Sequence, residues 1–222
     1  MRMSVIIPTL NERENVVRAI EQVRSAHEII VVDGGSSDNT LDAAQAAGAR
    51  TISAPASRGG QQNAGARAAT GDTLLFLHAD TTLSGDFQTQ ISASLSRPGV
   101  SAGAFRFELD EGGFSMWLVE TIVACRCRFF ELPYGDQALF VRKETFLAAG
   151  GFPDAPIMED YELICRLRAL GRIEIVDSPA VTSARRWRKL GILRTAWSNQ
   201  LCLLAYKLNV APERIARWRS AA

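Results

Sequence analysis

Ser4-Val5-Ile6-Ile7-Pro8-Thr9-Leu10-Asn11-Glu12 is the stretch on which the fold turns. Its apolar run, ended by a residue without a backbone N–H, reads as a buried strand passing into a loop. Asn11 with Glu14 three residues later resembles a capping box, and Val16, Ile20 and Val23 follow at helical spacing. The same strand, loop and helix recur at once. A strand over 28–33 is followed by the turn Gly34-Gly35-Ser36-Ser37-Asp38 and a helix over 39–47 closed by Gly48. A strand over 51–53, a loop Arg58-Gly59-Gly60 and a helix over 61–69 form the third unit. Such alternation predicts an α/β fold with a mostly parallel central sheet flanked by helices.

Further along, residues 73–77 form the most apolar strand and deliver His78-Ala79-Asp80 at its C-terminal end, where open parallel sheets bind ligands. Helices are expected over 87–95, 114–130, 143–149 and 160–170, and strands over 104–109, 137–141 and 172–176. After Pro179 the alternation gives way to an apolar and basic helical region. The 222 residues, 47% hydrophobic and 22% charged, suit a single globular domain with one site. Cys125, Cys127, Cys165 and Cys202 show no paired framework and no zinc-ligand spacing, so reduced thiols are expected. The net charge of +1 conceals an asymmetry: residues 178–222 hold nine Lys/Arg and one acidic residue, net +8, leaving −7 on residues 1–177. The N-terminus shows no apolar signal region and no run reaches the length of a spanning helix, so a cytoplasmic protein is expected.

Acidic residues stand where the strands deliver their loops: Asp33, Asp80 and the pair Glu159-Asp160. Carboxylates that share a cleft repel one another unless a cation or a reaction employs them. Mg²⁺ binds through one or two carboxylates together with substrate phosphates, and a nucleoside diphosphate supplies those phosphates. Arg185-Arg186-Trp187 suits the same ligand, the guanidinium groups by bidentate hydrogen bonds and the indole by packing over it. Plainer readings stand beside these. Asp33 and Asp38 also fit turns, His78 a hydrogen-bonded strand end, Asp160 an N-cap ahead of Leu163, Leu167 and Leu170, and Asn63 and Arg67 the surface of a helix.

Taken in order, these motifs resemble those of the family 2 glycosyltransferases, which have the nucleotide-diphospho-sugar transferase fold called GT-A. The resemblance covers roughly residues 4–187 and is similar in detail to a subgroup of small bacterial members. It implies donor contacts from Pro8, Thr9, Asn11 and Glu12, from Asp33, Gly34 and Ser36, and from Arg58, Gly59, Asn63 and Arg67. It also implies contacts from His78, Ala79, Asp80, Gly135, Asp136, Arg185, Arg186 and Trp187. Asp80 and His78 stand at the metal-binding Asp-x-Asp, and an imidazole there suits Mn²⁺ better than Mg²⁺. Asp160 takes the place of the catalytic base, with Glu159 beside it. The implied reaction is inverting transfer of a single sugar from a UDP- or GDP-sugar to a hydroxyl acceptor, with a divalent metal, Mn²⁺ or Mg²⁺, and no nucleic acid.

Ser183 stands where the family's Gln-x-x-Arg-Trp element has Gln, which argues against a processive polymer synthase. Two other classes remain: a non-catalytic nucleotide-sugar binder, suggested by His78, and a sugar nucleotidyltransferase, disfavoured by Pro8-Thr9-Leu10-Asn11 in place of a Gly-rich loop. The domain is expected over 1–187. The extension over 188–222 is expected to pack on it, on a partner in a homodimer or on a membrane surface. In the last case the acceptor would be lipid-linked and the protein would lie at the inner face of the membrane.

Overall fold

A computed structural model describes the backbone of residues 1–221. Ala222 and the side chains of Arg186, Lys189, Leu190, Ile192, Leu193, Ala196, Ser220 and Ala221 lie outside the described residues. In chain order the first half forms β1 (Met3–Thr9), α1 (Arg13–Gln22), β2 (Glu28–Asp33), α2 (Thr40–Ala46), β3 (Arg50–Ser53), α3 (Arg58–Ala68), β4 (Thr73–Phe76), β5 (Thr81–Leu83), α4 (Phe87–Leu95) and β6 (Val100–Leu109). The second half forms α5 (Phe114–Phe130), a 3₁₀ turn (Gly135–Gln137), β7 (Phe140–Arg142), α6 (Lys143–Ala148), α7 (Glu159–Leu170), β8 (Arg172–Thr182), α8 (Arg185–Leu190), α9 (Ile192–Lys207) and α10 (Pro212–Ala221).

The strands join in one sheet of order β3-β2-β1-β4-β7-β6-β8-β5. β1 pairs in parallel with β2 and β4, β2 with β3, and β6 with β8, whereas β7 runs antiparallel to both neighbours and β5 antiparallel to β8. The apolar strands are continuous because both faces are covered. Val5, Ile7, Val31, Leu75 and Leu77 point to a core shared with Val16, Ile20 and Ile91 of α1 and α4. Their neighbours Ile6, Ile30, Val32, Leu74 and Phe76 point to the opposite core, with Ala66 of α3, Phe146 of α6 and Leu163 and Leu167 of α7. Period-two alternation thus splits one apolar run between two layers. Phe76 meets Phe146 at 5.2 Å and Phe152 edge-on at 5.1 Å between ring centroids, which anchors the turn before α7.

Several expectations are corrected. No capping box forms at Asn11: α1 starts after Glu12 without a side-chain cap, and Asn11 takes a left-handed φ of 55° and bonds Ser37 instead. Arg58-Gly59-Gly60 is not a loop but the first turn of α3, capped by Ser57. The stretch over 137–141 is mostly turn, with β7 starting at Phe140. The β8 strand does not stop before Pro179. Its register with β6 jumps from Phe105↔Val176 to Arg106↔Pro179, so Asp177 and Ser178 bulge out and Pro179 takes a place that asks for no N–H. That extension lets β8 pair with β5, a strand with no counterpart in the sequence reading.

The C-terminal helices pack on the domain. Cys202 of α9 and Ile215 of α10 enclose Ile157 ahead of α7, and the Tyr206 hydroxyl donates to Glu162 Oε2 at 2.9 Å. A division at residue 187 falls inside α8.

Candidate active site

The loops after β1 and β2 are fastened to each other. Asn11 N donates to Ser36 Oγ at 2.8 Å, Ser37 N to Asn11 Oδ1 at 2.9 Å, Glu12 N to Thr40 Oγ1 at 3.0 Å and Arg13 N to Asp38 Oδ2 at 3.2 Å. Asp33 is spent on this turn. Its carboxylate accepts from Gly35 N at 2.9 Å, Ser36 N at 2.8 Å, Ser36 Oγ at 2.5 Å and Thr9 Oγ1 at 3.2 Å. Burial raises its pKa, and these donors together bring it below the ordinary Asp value. Gln61, which carries no motif signal, ties the two strand ends by donating to Thr9 O at 2.9 Å and Val32 O at 2.8 Å.

These loops form the floor of a cavity of about 420 Å³, lined by Pro8, Thr9, Leu10, Glu12, Ala56, Arg58, Gln61, His78, Ala79, Asp80, Ser183 and Arg185. A second cavity of about 220 Å³ shares Arg58, His78, Asp80 and Ser183 with it. Its further walls are Tyr134, Gly135 and Asp136, then Ile157 to Tyr161, then Thr182, Trp187, Asn199 and Arg219. His78 and Asp80 therefore stand in the partition between two compartments.

The partition is electrically tense. Burial, then the nearby Glu12, holds the Asp80 carboxyl above its ordinary range. Arg185 Nη2 answers both carboxylates, 3.4 Å from Glu12 Oε1 and 3.9 Å from Asp80 Oδ2. Burial, with Arg58 adding to it, pushes the His78 imidazole down to about 3. It is therefore neutral, and its Nε2 is buried with no hydrogen-bond partner among the described residues.

Across the smaller cavity lie three more acids. Met158, at φ 68°, is the N-cap of α7, so Asp160 is the helix's second residue and not its cap. Gly135 N donates to Asp160 Oδ2 at 3.1 Å, and a Cβ at Gly135 would fall 2.6 Å from that oxygen, so glycine alone leaves the carboxylate its place. Burial raises the pKa of Asp160; burial and then Asp160 raise that of Glu159, whose Oε1 lies 3.9 Å from Arg58 Nη1. Asp136 is likewise raised by burial, and its Oδ1 is unpartnered among the described residues. The turn carrying Gly135 and Asp136 is held by residues the sequence did not advertise. Gln137 Nε2 donates to Phe105 O at 3.0 Å, and Arg126 Nη2 to Gln137 Oε1 at 3.1 Å.

Of the sequence candidates, Pro8, Thr9, Glu12, Arg58, His78, Ala79, Asp80, Gly135, Asp136, Glu159, Asp160, Arg185 and Trp187 line the two cavities. Arg185 and Trp187 face different compartments. Asn11, Asp33, Gly34 and Ser36 build the floor from behind. Gly59 packs under Glu159, where a Cβ would stand 3.1 Å from Pro153 O. Asn63 lines neither cavity: it donates to Phe152 O at 2.8 Å and accepts from Phe152 N at 3.0 Å. Arg67 is exposed on α3, away from both, and the Arg186 side chain lies outside the described residues. Tyr134, Asn199 and Arg219 were not anticipated. The last arrives from α10, more than fifty residues past Asp160, with no local motif to mark it.

This arrangement has relatives. The solved structure of glucosyl-3-phosphoglycerate synthase from Mycobacterium tuberculosis with Mn²⁺, UDP and glucosyl-3-phosphoglycerate superposes with a TM-score of 0.68 at 22% identity, covering 94% of this chain and 80% of that one. An uncharacterised glycosyltransferase of Rickettsia typhi is 35% identical over 92 residues, 40% of this chain. Undecaprenyl-phosphate 4-deoxy-4-formamido-L-arabinose transferase of Sodalis glossinidius is 36% identical over 94 residues, 36% of this chain. The matched segments span 32% and 29% of the lengths of these two curated relatives. The fold is GT-A, as expected from the sequence. The family model for glycosyl transferase family 2 matches residues 4–152, about two thirds of the chain, and the protein belongs to that family.

Proposed function

We propose that the protein transfers one sugar from a nucleotide-diphosphate donor, a UDP- or GDP-sugar, to a hydroxyl acceptor with inversion at the anomeric carbon. The observation that carries this reading is the pair of cavities meeting at His78 and Asp80, with Asp160 on the far side of the smaller one. The larger, floored by the β1 and β2 loops, takes the nucleotide, and the smaller takes the acceptor. Asp160 accepts the acceptor's hydroxyl proton as that oxygen bonds to the anomeric carbon, and the diphosphate departs with the electron pair of the broken C–O bond. A carboxyl whose pKa is raised by burial is better matched to that proton than an exposed one. Gly135 N–H orients it and Glu159 holds Arg58 in the partition.

The residues of the partition fit a divalent cation. Arg185 already stands as a cation against Glu12 and Asp80, and the neutral His78 presents a buried Nε2 with no hydrogen-bond partner among the described residues. No cluster of three or more His, Cys, Asp or Glu with metal-binding geometry occurs among the described residues, so a metal would be held by Asp80 and His78 and completed by donor phosphates. The glucosyl-3-phosphoglycerate synthase complexes contain Mn²⁺ or Mg²⁺ with UDP. When bound here, such an ion would neutralise charge on the leaving diphosphate. Arg185 would serve the same charge.

The test is release of nucleoside diphosphate from a panel of UDP- and GDP-sugars in Mn²⁺, Mg²⁺ or EDTA. Asp160→Asn is expected to lower turnover by about 10²–10⁴-fold while donor-induced thermal stabilisation persists. Unchanged turnover in a folded variant would remove Asp160 from the reaction. Stabilisation by donors without turnover in the wild type would mark a binder in place of an enzyme.

A further inference from the structure

α5 is apolar around most of its circumference. Met116, Val119, Val123 and Cys127 are buried with Phe107, Leu109 and Ala184. The opposite row, Phe114, Leu118, Ile122, Cys125 and Phe129, repeats at helical spacing and is exposed along its whole length. Phe114 is 78% and Phe129 71% exposed, and Trp117, itself exposed, stacks on Phe114 at 5.7 Å. Helices apolar on every side are ordinarily covered on every side. α9, which packs against α5, does the same: Trp197, Leu201, Leu204 and Leu208 form a second exposed row, with Trp197 69% exposed. Two adjoining helices with unpartnered apolar rows make a patch of the kind that marks an interaction surface.

Charge identifies the occupant. Arg128, Arg194 and Lys207 are exposed on these two helices. α9 has no acidic residue, and the one in α5, Glu120, is half-buried and accepts from Leu109 N at 2.9 Å. A seam between two protein helices normally mixes signs along its flanks. Along α5 and α9 themselves the exposed charges are all cationic, and residues 178–222 carry a net +8. No helix among the described residues is long and apolar enough to cross a membrane, so a contact with lipid would lie along its surface.

We propose that the exposed faces of α5 and α9 dock the protein peripherally on an anionic lipid surface. The aromatic rows enter the headgroup boundary and the arginines meet the phosphates. The face adjoins the smaller cavity: Asn199 of α9 lines it, and the chain reaches Tyr134 in its wall a few residues beyond α5. Given the reaction proposed above, a lipid-borne hydroxyl would approach Asp160 from this side. Docking itself does not depend on that reaction.

Co-sedimentation of the full chain with phosphatidylcholine vesicles, with and without phosphatidylglycerol, tests the proposal. Wild type is expected to pellet with the anionic vesicles, to stay in solution with the neutral ones, and to be released by salt. Trp117→Ser with Phe129→Ser and Trp197→Ser is expected to weaken binding at least about tenfold. Arg128→Gln and Arg194→Gln are each expected to weaken it about fivefold. All five side chains are exposed, so circular dichroism should be unchanged, and nucleoside diphosphate release in solution should stay at the wild-type rate, which separates this result from failure of the enzymatic reading. Wild type that ignores anionic vesicles, or aromatic variants that bind as well as wild type, would overturn the proposal. So would a dimer by sedimentation velocity that the Ser substitutions dissociate, since the face would then be a seam between copies.

Discussion

Gly135→Ala should disable the site while sparing the fold. Gly135 is buried at the start of the 3₁₀ turn, its N–H donates to Asp160 Oδ2 at 3.1 Å, and an added Cβ would stand 2.6 Å from Oδ2 and 3.0 Å from Oδ1. Carbon settles about 3.5 Å or more from such a neighbour, so the carboxylate must withdraw by most of an ångström. Misplacing a reacting group by about 1 Å costs on the order of 10²-fold in rate. The lost hydrogen bond to a charged acceptor, worth about 1.5–3 kcal/mol, is of the same size. These are two descriptions of one displacement, so an approximately hundredfold fall in kcat is expected, with donor affinity unchanged because the larger cavity is untouched. The pH profile supplies a second signature. Gly135 N–H favours the ionised carboxylate, so without it the Asp160 pKa, already raised by burial, rises further and the acidic limb moves to higher pH. Initial rates of nucleoside diphosphate release across pH, with calorimetry for donor affinity, measure both effects. A rate within about threefold of wild type, with an unmoved acidic limb in a folded protein, would refute the assignment.

Other outcomes follow from the same geometry. Asn63→Ala removes both hydrogen bonds to the Phe152 backbone and should cost about 2 kcal/mol in urea unfolding without a proportionate loss of donor binding. Because the folded pKa of Asp160 is raised, its ionisation opposes folding once pH passes that value, and the penalty is absent below the unfolded-chain pKa. Asp160→Asn should therefore melt above wild type at pH 8, with the advantage vanishing as pH falls toward about 3.9. Arg185→Gln strips the countercharge from Glu12 and Asp80, whose side chains are largely buried, so it should cost about 1 kcal/mol in urea unfolding and weaken nucleoside diphosphate binding several-fold by calorimetry.

What the sequence revealed depended on how local the cause was. Helix α5 was legible to its end residues because its apolar positions repeat within it, and β1 and β2 because a run of Val and Ile reports burial directly. Asp160 was legible through its motif. Its distinction from an N-cap was not, because that rests on Met158 adopting a positive φ, which side-chain type does not announce. Asn63 looked like a ligand contact and is instead a clamp on Phe152, a residue 89 positions away. Pro179 marked where the alternation gives way, yet it lies inside β8, absorbed by a bulge that exists only because β6 lies alongside. Arg219 shows the same limit: what brings it to the cavity is the packing of α10 against α9 and Ile157.

The shared partition also divides the two compartments by where along the chain their walls lie. Most of the larger cavity comes from residues 8–80, whereas most of the smaller comes from residues 134–219, and they meet at four side chains. The smaller compartment therefore depends chiefly on the last part of the chain, although β8 from that part is built into the sheet between β6 and β5. Exchanging side chains of α7, α9 and α10 that line the smaller cavity, such as Tyr161, Asn199 and Arg219, would change its walls while leaving the crossed loop bonds beneath the larger one in place. Ser183 and Arg185 mark the limit of that independence, since both come from the late segment and line the larger cavity.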